Sequence, residues 1–542
     1  MSKKIKWLLK KPPKNWEEDY QPHGNEDFSA SEALRSHAQA MNTIKESDFI
    51  ESIATALQYI SHYHSEDFIL AMTRAFEMEE SAPAKDAIFQ ILSSSKLSAF
   101  GNRPICQDTG IVTVFIKQGM DVKWESNRTV EEMVNEGVRQ AYLDKSNPLR
   151  ASIVRDPINS RVNTKDNTPA ITHISSVQGD GIEINIVAKG AGSENKAHLK
   201  MMNPSDNIVD YILDLIPKMG AGWCPPGVLG VGVGGTAEKA VLLAKESLLE
   251  PININDLIKS GATNKIEELR IELYEKINKL GIGAQGLGGL TTVLDVKIKD
   301  YPTHAASLPV AIIPNCAANR HIKFKLNGAG PVKLQAPNIN LWPKNNWQPN
   351  DDVIKVNLDN IKKSDVKNWS IGQNLLLTGK ILTARDAAHK KLNELVKNNN
   401  VLPEGLDLKN RLIYYVGPVD PVGDEVVGPA GPTTSERMDK YTDLMLSHFE
   451  IMGMIGKAER GEKTIQAIKK HQAAYLVAIG GSAFLISQAI KSSKIVAFPE
   501  MGMEAIYEFE VVDMPVTVAV DSNGKSIHKT GAKKWKEILL NR

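Results

Sequence analysis

Cys106, Cys224 and Cys316 are the only cysteines in the 542-residue chain. Cys106 lies in ICQDTG, just ahead of an apolar β-branched run. Cys224 lies in GWCPPG, ahead of Gly230, Gly232, Gly234 and Gly235. Cys316 lies in NCAANR, after another apolar run. An odd number of cysteines leaves at least one unpaired, which excludes a disulfide framework and points to a reducing compartment. None has a CxxC neighbour, which argues against a zinc ribbon. Three dispersed thiolates suit a [4Fe–4S] cluster with one iron left open. Electron-transfer clusters take four cysteines, and an open metal position suits Lewis-acid chemistry. Counting alone does not separate this reading from three unrelated buried cysteines.

A second group of residues suits an anion. The stretch GPAGPTTSERMD reads as a rigid loop entering a helix, with Thr434 or Ser435 as N-cap. Free backbone N–H groups at that helix start, with the forked donor of Arg437, would accommodate a carboxylate. Lys457 follows Gly453 and Gly456, and Arg385 begins another helix. The run ending in Gly234-Gly235-Thr236 is also a candidate helix start for anion binding. No Gly-Lys-Ser/Thr follows, so it is not a Walker loop, and a tight structural turn explains it equally well.

The elements that must position these groups follow from periodicity. Residues 30–100 read as helical, with three- and four-residue apolar spacing in 47–60 and 68–79. Residues 111–117 read as a strand and 130–143 as a helix. Residues 172–174 and 181–188 read as paired strands joined by a turn at 178–181. Helices are expected near 237–249 and 265–280, and strands at 290–297 and 310–313. Pro331, Pro337, Pro343 and Pro349 punctuate an Asn- and Lys-rich stretch that reads as a domain junction. Beyond it, strands at 412–416, 475–479 and 495–498 alternate with helices at 384–396 and 435–452, as in a smaller α/β domain.

Composition bounds the function. Apolar residues make up 42% and charged residues 24%, with a net charge of +1, so disorder is excluded as the dominant state. No global basic field exists to hold nucleic acid or an anionic membrane. The basic start of the chain lacks the apolar stretch of a secretory signal. The longest uncharged apolar stretch, 473–490, is split by Gly480, Gly481 and Ser482 into a strand half and a helix half. The expected location is cytoplasmic.

Taken together, ICQDTG, LRASIVRDP, NTKDNTPA, AKGAGSENKAHLKM, GWCPPGVLGVGVGGTAEKA, PTHAASLPVAIIPNCAANR, LTARDAAHK, YYVGPVD, GPAGPTTSERMD and MIGKAERG resemble class I (iron–sulfur) fumarate hydratases from about residue 50 onward. The class II signature GSxxMxxKxN is not present. The resemblance implies an α+β fold, with an N-terminal cluster-binding domain (1–335), a junction (336–370) and a smaller C-terminal swivelling β/β/α domain (371–542). It implies a homodimer and reversible hydration of fumarate to (S)-malate, a reaction of the tricarboxylic acid cycle. It also implies a [4Fe–4S] cluster on Cys106, Cys224 and Cys316. Arg150, Arg385, Arg437 and Lys457 would clamp the dicarboxylate, with Gln107 as a further donor and Gly190 and Gly192 allowing close backbone approach. The resemblance assigns the C3 proton to Thr433 and an acid–base relay to Asp108 and His304; Arg437, four residues after Thr433 on the same helical side, is expected to activate it.

Three rivals stand beside this reading. A related hydro-lyase would act on tartrate or mesaconate. An iron- or redox-sensing protein would bind RNA on cluster loss, against which the net charge and the lack of an aromatic-studded basic motif argue. A Cys₃His zinc site would use His304.

Overall fold

The computed structural model describes residues 43–351 and 353–542. The helical expectation for residues 30–42 lies outside the described residues. The strands of the N-terminal half are, in chain order, β1 (Thr43–Lys45), β2 (Ile111–Gly119), β3 (Lys123–Glu125), β4 (Ile171–Val177), β5 (Ile182–Lys189), β6 (His198–Met202), β7 (Gly227–Gly234), β8 (Val293–Tyr301), β9 (Leu308–Asn315) and β10 (His321–Leu326). The C-terminal half supplies β11 (Ile354–Asn357), β12 (Asn374–Thr383), β13 (Leu412–Tyr414), β14 (Gly453–Gly456), β15 (Ala474–Val477), β16 (Ile490–Ala497) and β17 (Ile506–Val520). With the intervening helices they make a mixed α+β fold.

The first sheet has the order β10-β5-β2-β4. Helices Glu46–His62 and Val130–Tyr142 cover one of its faces, burying Phe49, Ile53, Leu57 and Val138 on Val112, Val114, Ile184 and Ile186. The expected hairpin between the strands at 172–174 and 181–188 does not form. β2 lies between them, parallel to β4 and antiparallel to β5. Gly119 and Asp121 donate to the carbonyls of Gly181 and Gly179, so the turn wraps the end of β2. A buried β-branched strand needs partners on both edges, and β2 takes both neighbours.

The second sheet, β6-β9-β7-β8, is covered on both faces. Helices Ile208–Met219 and Lys265–Asn278 pack on Leu229, Val231, Val296 and Ile312. Helix Ala237–Ser247 packs on Val228, Ala311 and Ile313. The glycine run thus forms β7, and Gly234 and Gly235, at φ 87° and 69°, turn the chain into that helix. A methyl on Gly232 would run into the Ala240 carbonyl, so glycine lets the helix lie directly on the strand. Its N-cap, Thr236, sits at the end of β7 remote from Cys224, so this helix start is no part of the cysteine site.

In the C-terminal half the strand order is β11-β12-β13-β14-β15-β17-β16, and β12 also pairs with β17, closing a ring through β13, β14 and β15. The stretch read as a junction is tied down. Trp342 and Trp347 donate to Ser95 (3.0 Å) and Asp86 (2.7 Å) on helix Ala82–Gly101, and β11 extends the C-terminal sheet. The helix expected over 435–452 is a 3₁₀ turn (Ser435–Met438) followed by Asp439–Ser447. Glu450, at φ 52°, then reverses the chain into β14. The apolar stretch at 473–490 is β15 followed by helix Ala483–Ala489, and no helix among the described residues is long and apolar enough to cross a membrane.

One core joins the halves. Phe68, Met72, Ile88 and Ile91 pack in the same cluster as Leu392, Tyr415, Met445 and Ile468. Arg103 adds a polar tie, donating to Glu425 (2.9 Å), the Asp420 carbonyl (2.7 Å) and Asn147 (2.9 Å). Gly232→Ala is predicted to lower unfolding stability by about 1–3 kcal/mol in chemical denaturation, because the added methyl meets backbone. Wild-type stability in that variant would show that the helix–strand contact is slack.

Candidate functional site

Cys106, Cys224 and Cys316 come from three separate loops and line one cavity between the halves. They share it with Gln107, Asp108, Gly190, Gly192, Ser193, Arg320, Pro432, Lys457, Gly480 and Gly481. Cys106 follows helix Ala82–Gly101 and precedes β2, Cys224 precedes β7, and Cys316 follows β9. Cys224 sits at φ 58°, a left-handed conformation that disfavours a residue with a Cβ. It is held there by its N–H to the Ala221 carbonyl (2.9 Å) and its carbonyl from Ala317 N–H (3.0 Å).

The C-terminal half reaches in through Lys457, whose Nζ donates to Cys224 Sγ at 2.9 Å. Burial alone would lower the lysine pKa, but the sulfurs of Cys224, Cys106 and Cys316 raise it, so the ammonium stays charged. Burial pushes the thiols of Cys106 and Cys224 up, opposed by Arg320 at the first and by Lys457 at both. Lys457 is placed by pairing with the loop at 433–435: its N–H donates to Thr433 O (3.2 Å), and its carbonyl accepts from Ser435 N–H (3.1 Å). Gln107 crosses in the other direction, donating to the Pro432 carbonyl at 3.2 Å.

Burial works to raise the pKa of Asp108. Arg150, Arg320 and Lys457, with the Ala191 N–H at 2.8 Å, overcome it and hold the carboxyl below the usual carboxylate range. Asp108 is therefore a charged acceptor at neutral pH. Glycine leaves room at two positions here: a Cβ on Gly190 would stand 3.0 Å from Asp108 Oδ2, and one on Gly192 3.1 Å from Lys457 Nζ.

The other basic residues gather beside the cavity. Arg150 donates to the Gly417 carbonyl at 2.5 Å, and a side chain at Gly417 would collide with Arg385. Arg385 pairs with Glu504 (3.1 Å) and keeps a buried Nε without a partner. Arg437 pairs with Asp386 at 2.9 Å rather than reaching back to activate Thr433. The α-helix N-terminus expected at Thr434 is a 3₁₀ turn without a side-chain cap. Thr433 itself is half-buried, with its N–H on the Tyr415 carbonyl (2.7 Å).

His304 is set apart. It lies exposed on the turn between β8 and β9, and Cys316 follows the far end of β9, about 25 Å away at strand rise. It cannot complete a zinc site with the cysteines of its own chain.

Arg320 and the Gly480-Gly481 pair escaped the sequence reading. Arg320 looks like a surface arginine after a strand, yet it is 2% exposed. Gly480 signals only a strand–helix turn. A Cβ there would press on Cys224 Sγ, and its N–H donates to Gln285 Oε1 (2.9 Å).

Among the described residues, no three His, Cys, Asp or Glu side chains are spaced to hold a single metal ion. Three thiols that line one cavity without forming a single-ion site fit a multi-iron group with each thiolate on a different iron. The partnerless N–H groups of Arg320 fit an anionic occupant.

Comparison with known proteins identifies the family. The family model for fumarate hydratase (Fumerase) matches residues 50–325, and that for the fumarase C-terminus matches 328–531. The anaerobic class I fumarate hydratase of Escherichia coli K12 is 33% identical over 515 residues, covering 92% of this chain and 91% of that one. Fumarate hydratase 2 of Leishmania major is 31% identical over 497 residues, covering 87% and 85%. A putative L(+)-tartrate dehydratase subunit alpha of Methanocaldococcus jannaschii is 40% identical over 266 residues, which is 48% of this chain and 90% of that subunit. With both halves matched and the cysteine cavity lying between them, the chain belongs to the class I fumarate hydratase family and is a hydro-lyase.

Proposed function

We propose that the chain catalyses the reversible hydration of fumarate to (S)-malate, using a [4Fe–4S] cluster on Cys106, Cys224 and Cys316. The observation that carries this reading is that the three cysteines face one cavity with Asp108, Gln107 and Lys457, beside a cluster of arginines. When bound, the cluster supplies a Lewis-acidic iron with an open position, because three thiolates leave one iron without a protein ligand. We also propose the division into an N-terminal domain to residue 335, a junction and a C-terminal domain from 371, a homodimer and a cytoplasmic location.

Fumarate carries two carboxylates, and burying them requires charged donors. Arg150 and Arg385 converge on Gly417, with Arg437 close enough to act on Arg385 electrostatically. They hold one end of the substrate. Lys457 and Gln107 line the cavity and hold the other. In hydration, the ionised carboxylate of Asp108 accepts a proton from the water whose oxygen bonds to C2. The Thr433 hydroxyl gives its proton to C3 and is reprotonated from solvent, to which Asp108 releases the proton it took from water. Dehydration runs the same transfers backwards. His304 can take part only if a second copy of the chain brings it to the cavity.

A putative tartrate dehydratase subunit matches 48% of this chain, so tartrate stands beside fumarate among the substrates to be compared. Anaerobic reconstitution with iron and sulfide, followed by rates on fumarate, mesaconate, (S)-malate and tartrate, tests the proposal. Fast fumarate–malate interconversion that disappears in air is expected. Faster turnover of another diacid would overturn the substrate assignment. An intact cluster without turnover, coupled with RNA binding by the cluster-free protein, would favour sensing.

Two variants probe the parts. Cys224→Ser is predicted to lose iron, sulfide and nearly all activity; a stable, fully loaded and active variant would remove Cys224 from the ligand set. Arg385→Ala is predicted to lower kcat/KM by about 2–5 kcal/mol, since a substrate carboxylate is left unpaired. Unchanged kinetics would take Arg385 out of the clamp.

A further inference from the structure

Arg320 is a cation built into the protein interior that forms no salt bridge among the described residues. It lies in the turn between β9 and β10, four residues after Cys316, and only 2% of it is exposed. Its Nε and Nη1 are buried and have no hydrogen-bond partner among the described residues. Asp108 lies near but is engaged elsewhere, accepting from Ala191 N–H (2.8 Å) and Gly110 N–H (3.2 Å). The turn is rigid. The Arg320 carbonyl accepts from Ala188 N–H (3.0 Å), and Asn319 Oδ1 accepts from Asn315 Nδ2 (2.5 Å) and lies 3.0 Å from His321 Nδ1. The guanidinium has therefore not drifted into a vacant corner.

An unpaired buried charge is strongly unfavourable, and a fold tolerates one where a partner arrives later. The wall that Arg320 shares with Cys106, Cys224 and Cys316 indicates that partner. The arginines proposed to hold substrate lie elsewhere, at Gly417 and Asp386. Lys457 already serves Cys224 at 2.9 Å. Arg320 stands on the Asp108 side, where a Cβ on Gly190 would lie 3.0 Å from Asp108 Oδ2 and 3.6 Å from Arg320 Nη2. The cavity thus has one cation for each side of the sulfur set.

We propose that Arg320 is the buried hydrogen-bond donor and countercharge for the sulfur ligands of the iron–sulfur group, and that it sets how tightly the group is held and how readily it is reduced. This inference rests on the proposed cluster. The sulfurs carry the negative charge, and the Nε–H and Nη1–H groups supply donors that no atom of the described residues uses. Donors and positive charge beside the sulfurs stabilise the more negative, reduced state, so they raise the reduction potential.

The test uses the full-length protein and its variants Arg320→Gln and Arg320→Lys, each anaerobically reconstituted, with folding checked by circular dichroism. Iron and sulfide content, the rate of iron loss to a chelator and the midpoint of an EPR-monitored reductive titration are measured. Arg320→Gln is expected to lose iron about ten- to a hundred-fold faster, the usual effect of removing an outer-shell partner. Its midpoint is expected below that of the wild type, with Arg320→Lys recovering most of the midpoint shift. Should the glutamine variant load too poorly for titration, the lysine variant and the rate of iron loss still decide. Wild-type iron loss and midpoint in Arg320→Gln would overturn the inference while leaving the cluster in place. Equal defects in the two variants would also overturn it, by showing a packing role without a charge role. A wild-type protein that takes up no iron and sulfide would overturn the inference together with the proposed function.

Discussion

Negative charge persists inside a protein only where positive charge or hydrogen-bond donors are buried with it. The cavity between the two halves is organised by that constraint. It gathers three thiols and an ionised Asp108, and meets them with Lys457 and Arg320. Neither cation is spent on a carboxylate of its own. Lys457 touches Cys224, and Arg320 keeps two N–H groups without partners. The arginines outside the cavity differ: Arg385 and Arg437 rest on Glu504 and Asp386. A dianionic substrate would exchange places with those carboxylates, whereas the sulfur set would be met by charge already in place.

Placing Lys457 against Cys224 requires the halves to be fixed relative to one another. The shared core and the buried Arg103–Glu425 pair do most of this. A second polar network lies under the Lys457 loop. Arg460 is paired with Asp439 (2.6 Å) and stacked by Tyr475, whose hydroxyl lies 2.8 Å from Ser435 Oγ and 2.9 Å from the Ala458 carbonyl. Strain enters at Cys224, whose left-handed backbone is held by bonds on both sides. Preorganisation of this kind keeps the thiols apart and facing one space before anything is bound.

The parts of the site that were legible in the sequence are local. Each cysteine stands at a boundary between turn and strand, and those boundaries follow from β-branched runs and Gly/Pro punctuation that neighbouring residues decide. What was illegible depends on contacts distant in sequence. The insertion of β2 between β4 and β5 is a pairing choice, and alternation along a strand does not identify its neighbours. The glycines of β7 read as a turn because glycine is poor in strands, and only the helix lying on Gly230 and Gly232 explains them. Arg320 carries no local sign of its burial, and His304 no sign of its distance from Cys316. The segment around Trp342 and Trp347 was read by its prolines, although its tryptophans seat it on the helix Ala82–Gly101.

The central claim is that three thiolates of one cavity hold a four-iron group with one iron free of protein ligands. Mössbauer spectroscopy of the protein reconstituted with ⁵⁷Fe, with and without fumarate, addresses it directly. One iron in four should be distinguishable from the rest, and it alone should change when fumarate is added. Four equivalent irons indifferent to fumarate, or a stable centre of another stoichiometry, would contradict the claim.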